Sequence, residues 1–331
     1  MIRKLITVML VLSVFSACNN QGNEKKQQKQ AQQPPPLKVM PFSADSAYRY
    51  VADQVAFGPR VVNSKAHGKC AAYLVNKLKQ WSSEVTVQEG TVPAYNGTPL
   101  KFKNIIASFG PAGNHRIILA SHWDSRPYAD YDPDPANRRK PIDGANDGAS
   151  GVGILLEMAR QMSITPPPVG VDIVLFDAED YGPPQDERTD TDTQQFWGQG
   201  AQYWSKTPHK PGYTASYGIL LDMVGARNAT FLMEGISMDY APGIVSKVWD
   251  MGIRLGYNAY FIRERGGYIT DDHVPVNQIL QVPMIDLIHL DQYSRTGFYP
   301  YWHTLGDSLD KIDPLTLEVV GRTLMAVVYN P

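Results

Sequence analysis

The chain has 331 residues, 43% hydrophobic and 19% charged, with 31 Lys and Arg against 33 Asp and Glu for a formal net charge of −2 at pH 7. That balance is ordinary for a globular protein, and the length is ample for one large core. Without a basic excess the chain lacks the electrostatic footprint of a nucleic-acid binder.

Arg3 and Lys4 precede the apolar run LITVMLVLSVF, and the small residues Ser16 and Ala17 stand before Cys18. Residues 1–17 therefore read as a signal peptide, too short to span a membrane as an anchor. Cys18 after small residues resembles a bacterial lipobox, although Phe15 stands where an aliphatic residue is usual. The resemblance implies that Cys18 is lipidated as the first mature residue. The protein would then be exported to the bacterial cell envelope and held in the periplasm through that lipid alone. Residues 18–36, ending NNQGNEKKQQKQAQQPPP, read as a polar, disordered linker. With Cys18 so used, only Cys70 remains, which closes no intramolecular disulfide and makes a thiolate metal site untenable.

Residues 37–331 show no linker, repeat or break in composition and read as a single catalytic α/β domain. Within it, Cys70, Leu74, Leu78 and Trp81 lie at helical spacing across 66–81. EVTVQEGTV and KFKNIIASFG read as strands, and RIILASHWD has the continuous apolar character of a strand covered on both faces. GASGVGILLEMARQM predicts a helix that Pro166-Pro167-Pro168 ends. VDIVLFDAED and YGILLDMVGA predict buried strands, APGIVSKVWDMGIRLGY a helix, and AYFIRE and VPMIDLI two more strands. DPLTLEVVGRTLMAVVYN closes the chain as a helix capped by Asp313, with Pro314 in its first turn. Strands alternating with helices in this way give an α/β sandwich. The stretch YADYDPDPANRRKPIDG, near 130–144, reads as a surface loop rather than a lid.

Five of these pieces carry groups that bind metals or move protons: His122-Trp123-Asp124, Asp147 in DGANDGASG, Glu179-Asp180, Asp222 in ILLDMVG, and His303 in YWHTLGD. Asp147, before a helix, taken alone favours an N-cap over a metal ligand. Asp124 either orients His122 or ends a strand, and His303 taken singly is more often structural. Adjacent Glu179 and Asp180 point different ways, so one can bind metal while the other stays free as a base. Asp222 resists a bland reading, because an unpaired buried carboxylate costs several kcal/mol. Together, Asp, Asp/Glu and His form a nitrogen and oxygen set suited to tetrahedral Zn²⁺ with one open position.

HWD, NDGASG, FDAED, LLDMVG and the terminal His of WHT resemble, in the same order, the co-catalytic zinc aminopeptidases. The chain more closely resembles the glutaminyl cyclases of the animal type and their bacterial relatives. That likeness rests on TDDHVP at 270–275 and on Trp302 before His303; FGPRVVNS and LGDSLDKID also resemble the cyclases, the latter a pattern that the aminopeptidases share. It implies a three-layer sandwich, with a mixed, mostly parallel central sheet and helices on both faces. The activity implied is a zinc-dependent cyclotransferase that converts the N-terminal glutamine of peptides and exported proteins to pyroglutamate and ammonia. Zinc would be held by Asp147, Asp180 and His303, with Asp180 replacing the Glu usual in animal enzymes. Glu179 would be the general base and acid, in a carboxylate network with Asp222 and Asp271. Trp302 and Phe298 would line the substrate pocket, with Trp197 a candidate second tryptophan, while Asp286 stands where the cyclases usually have His. The alternative is a two-zinc aminopeptidase, its second ion held by His122, Asp147 and Asp222. In a one-zinc enzyme His122 and Asp124 would be vestiges of that second site.

Overall fold

Runs that are apolar at every position need cover on both faces, and the fold supplies it. The computed structural model describes residues 36–113, 115–188 and 194–331. The expected signal peptide, Cys18 and all but the last residue of the linker lie outside them. Six strands form the main sheet: β1 (Val85–Pro93), β2 (Pro99–Phe109), β3 (Arg116–His122), β4 (Gly170–Phe176), β5 (Tyr217–Asp222) and β8 (Met284–Ile288). Their order is β1-β2-β4-β3-β5-β8, antiparallel across β1, β2 and β4 and parallel from β4 to β8. Every residue of β3, β4, β5 and β8 is buried. A small parallel pair, β6 (Phe231–Met233) and β7 (Phe261–Arg265), stands apart.

The two-residue period of a strand sorts the core into layers. Ile117, Leu119, Val171, Ile173, Ile219 and Leu221 pack on the side that holds α1 (Ala44–Val55), α2 (Lys65–Lys79), α3 (Ala149–Ile164), α6 (Pro242–Arg254) and α8 (Pro314–Tyr329). Ile118, Ala120, Val174 and Leu220 point the other way, onto Ala201 and Trp204 of α4 (Gln199–Lys206) and onto Val276, just after the short α7 (His273–Pro275). The sandwich of mixed, mostly parallel sheet and two helical layers is the fold expected. Asp313 caps α8 as predicted, its carboxylate accepting from Leu315 N at 3.1 Å. Cys70 is buried on α2 and free, and burial pushes its thiol up to about 12.

The sequence reading had no counterpart for α1, although Ser43 caps it by accepting from Ser46 N. It also lacked α4, β6, α5 (Gly235–Tyr240) and α7, which are too short to show a period. One boundary differs in a way that matters. β4 ends at Phe176, and Ala178 adopts φ 55°, so Glu179 and Asp180 lie on a bend beyond the sheet rather than at a strand end.

Connectivity locates the site before any side chain is considered. From β3 the chain runs through α3 to β4 on one side; from β4 it crosses back to β5 on the other. The carboxyl ends of β3 and β5 therefore flank the point where the winding reverses, the place where open α/β sheets bind ligands. His122 ends β3 and Asp222 ends β5. Helix α3 starts hard against this point because Gly151 has no side chain: a Cβ there would lie 2.4 Å from Ser121 Oγ and 2.6 Å from Leu221 O. Gly151→Ala is accordingly expected to lower stability by about 1–3 kcal/mol through overpacking, read as a lower urea midpoint. An unchanged midpoint would mean that α3 slides away from the strand ends at no cost.

Candidate metal centre and active site

Five loops converge at the switch point, and buried carboxylates fix their backbones. Asp124 accepts from Glu179 N at 3.1 Å and Asp180 N at 3.2 Å, and its Oδ1 faces His122 Nδ1 at 3.6 Å. Asp124 is thus turned to backbone and to the rear of His122, not to the donor cluster. Asp307 accepts from Asn146 N at 2.9 Å and Asp147 N at 3.0 Å. Arg60, fully buried, spans two loops by donating to the carbonyls of Trp123, Asp143 and Gly144 at 3.0, 2.6 and 2.8 Å. Gly148, at φ 92° and with no room for a Cβ beside Asp124 O and the His122 ring, carries the chain into α3. Gly148 is also the N-cap of α3, which makes no side-chain cap bond. Asp147, whose local context favoured a cap, is released to face the cluster.

Two donor sets result. His303 Nε2 lies 3.3 Å from Asp180 Oδ1 and 3.5 Å from Asp147 Oδ2. His122 Nε2 lies 3.1 Å from Asp147 Oδ1 and 3.2 Å from Asp222 Oδ1. In each set the donor atoms fall within 4.8 Å of one another. Donors about 2 Å from a tetrahedral zinc sit about 3.3 Å apart, so both sets have the spacing of a zinc site. Asp147 serves both, one oxygen to each. Its Oδ2 and Asp180 Oδ2 are buried without a hydrogen-bond partner, which a buried carboxylate tolerates when a cation takes the charge.

The pocket above is lined by Asp147, Glu179, Asp180, Asp222, Asp271 and His303, with Trp197, Phe298 and Trp302 as its aromatic wall. His122 is not among the lining residues. The Trp302 ring stacks on His303 with centroids 3.8 Å apart, and Trp197 lies parallel to His303 at 6.1 Å. Phe298 packs on Trp302 at 4.5 Å. Trp197 thus lines the same pocket as Trp302 and Phe298.

The acids feel one another. Burial first, then Asp180, pushes Glu179 well above the usual carboxylate range. Asp222 is raised to about 6 by burial despite the His122 hydrogen bond, and Asp271 to about 7 by burial and then Asp222. Asp271 Oδ1 accepts from Asp272 N, while its Oδ2 has no partner. Asp286 is fully buried behind the pocket rather than in its lining, with both carboxylate oxygens unpartnered. Asp307 and Arg60, which hold the loops around Trp123 and Asp147, lie in LGDSLDKID and FGPRVVNS; the likeness of those motifs was the only sequence signal for them.

Residues 104–328 match the family described as Peptidase family M28. The solved structure of a Bacteroides thetaiotaomicron glutaminyl cyclase bound to N-acetylhistamine is 50% identical, with a TM-score of 0.86 and coverage of 88% of this chain and 99% of that one. A Zn-dependent exopeptidase from Parabacteroides distasonis is 52% identical, with a TM-score of 0.86 over 88% of this chain and 100% of that one. Among curated proteins, the glutaminyl-peptide cyclotransferase of Gloydius blomhoffii is 27% identical over 288 residues, covering 78% of this chain and 73% of the relative.

Asp307→Ala strips the partners from two buried amides, at about 1–3 kcal/mol each. The expected result is a urea midpoint well below that of the parent. The smaller loss expected for Asp307→Asn, which keeps one acceptor, checks that the hydrogen bonds are the cause.

Proposed function

Since the chain belongs to peptidase family M28, we propose that it is a zinc-dependent glutaminyl-peptide cyclotransferase, which converts N-terminal glutamine of peptides and proteins to pyroglutamate with release of ammonia. The observation that carries this reading is its likeness to a solved glutaminyl cyclase along nearly the whole described chain. The pocket chemistry agrees: one proton-transfer acid, a second acid at Asp271, and an aromatic wall around a histidine.

Asp147, Asp180 and His303 would hold one zinc, because that donor set lines the pocket whereas His122 lies outside it. Bound there, the ion would supply Lewis-acid polarisation of the substrate's side-chain amide carbonyl. Glu179, held well above the usual carboxylate range by burial and then by Asp180, takes a proton from the α-amine of the substrate. The freed nitrogen attacks the side-chain amide carbon and forms the ring C–N bond. Glu179 then returns the proton to the amide nitrogen, the exocyclic C–N bond breaks, and ammonia leaves. Asp222 and Asp271, both raised by burial and Asp271 further by Asp222, are not readily ionised together. Trp302, Phe298 and Trp197 exclude water and hold the glutamine side chain.

The second donor set favours one other reading, a two-zinc aminopeptidase. Incubation with Gln-peptides and Leu-peptides separates the two. Ammonia with a blocked N-terminus is expected; release of free amino acid from either peptide would overturn the cyclase. In Glu179→Gln turnover should fall by at least about 100-fold with zinc still bound, the scale of a lost general base; retained activity removes Glu179 from the role.

The first residues support export and a lipid on Cys18; no helix among the described residues is long and apolar enough to cross a membrane. In a bacterial host, fatty-acid label should enter the protein and be lost in Cys18→Ser. A labelled Cys18→Ser protein would place the lipid elsewhere.

A further inference from the structure

His303 occupies an expensive backbone conformation. Its φ of 53° is in the left-handed region, which a non-glycine residue adopts only when its surroundings impose it. The surroundings come from the segment after β3 that sequence read as surface loop. Tyr131 N donates to His303 O at 3.1 Å, and Asp132 Oδ2 accepts from Leu305 N at 3.0 Å. Residues 133–136 and 138–141 are exposed as expected, but Ala129, Asp130 and Asp132 are buried.

Asp130 is the central group of this segment. Arg126, fully buried, grips it with two bonds, Nε to Oδ1 and Nη2 to Oδ2, both 2.8 Å. Gln185 N also donates to Asp130 Oδ2, at 2.9 Å. On its other side Asp130 Oδ1 faces His303 Nδ1 at 3.5 Å, and that buried nitrogen makes no hydrogen bond to any group. Nε2 of the same ring points at Asp147 and Asp180. Arg126 in turn donates through Nη1 to Asp180 O at 3.1 Å and lies 4.7 Å from the Trp197 ring centroid. One guanidinium thus touches the backbone of one proposed ligand, the carboxylate behind another, and the aromatic wall.

We propose that Asp130, clamped by Arg126, is a positioning residue that sets the tautomer and orientation of His303 for zinc, with its proton on Nδ1 and Nε2 free to bind. The proposal rests on the reading of His303 as a zinc ligand. A histidine ligand with its second nitrogen held by a carboxylate is more basic and stays in one orientation, and loss of such a partner costs about 10- to 100-fold in metal affinity.

The test is zinc competition with a chromophoric chelator on the full chain, comparing the parent, Asp130→Asn and His303→Ala at equal folded fraction by near-UV circular dichroism. Asp130→Asn should keep one zinc per chain but bind it about 10- to 100-fold more weakly, and the visible spectrum of its cobalt form should shift. His303→Ala should lose binding at the same chelator concentration. Parent-like affinity in Asp130→Asn, with binding lost in His303→Ala, overturns the proposal and leaves the ligand assignment standing. Parent-like affinity in His303→Ala overturns both. Should Asp130→Asn fail to fold because Arg126 keeps only its 3.5 Å contact with Asp180 Oδ1 for its buried charge, Arg126→Gln/Asp130→Asn removes both charges and is judged by the same affinity and spectrum, against Arg126→Gln alone as the control for Asp180.

Discussion

Carboxylates taken out of water and set side by side cannot all be ionised unless positive charge is set among them. The end of this sheet is arranged around that constraint. Asp147, Glu179, Asp180, Asp222 and Asp271 share one small pocket, and Asp272 and Asp286 lie buried behind it with both oxygens of each unpartnered. Burial, compounded by the neighbouring acids, pushes Asp272 and Asp286 well above the usual carboxylate range. Of the cations supplied by the chain, Arg60 is turned to loop carbonyls, and Arg126 is spent mainly on Asp130, reaching Asp180 Oδ1 only at 3.5 Å. A divalent ion at the centre therefore completes the charge distribution as well as the chemistry.

The same residue type does two different jobs according to what its oxygens face. Asp124, Asp132 and Asp307 are hydrogen-bond acceptors for backbone, each tying a site loop to a distant one. Asp147 and Asp180 keep an oxygen free of hydrogen bonds and are available to metal. The division has a mechanical side: loops that carry the donor residues are stiffened by acids from other loops, so the donor spacing does not depend on the ion to create it.

Much of this was legible in the sequence, for physical reasons. Uninterrupted apolar strands announced a covered parallel sheet, and Asp222 stood out because a lone acid in ILLDMVG needs a partner. Other residues were misjudged in isolation. Asp147 looked most like a helix cap, since the capping rule is local, whereas Gly148 takes the cap position and frees the carboxylate. Asp130 and Asp132 were hidden in a polar, proline-rich stretch whose partners are His303 and Leu305, the latter 173 positions away in the chain. Trp197 could not be placed by alignment of motifs, because its role is visible only as a ring parallel to His303.

Asp147 presents Oδ1 to His122 and Oδ2 to His303. A single carboxylate shared in this way makes loading on the two sides reciprocal: an ion on either side withdraws electron density from the oxygen offered to the other, and the penalty is the same in both directions.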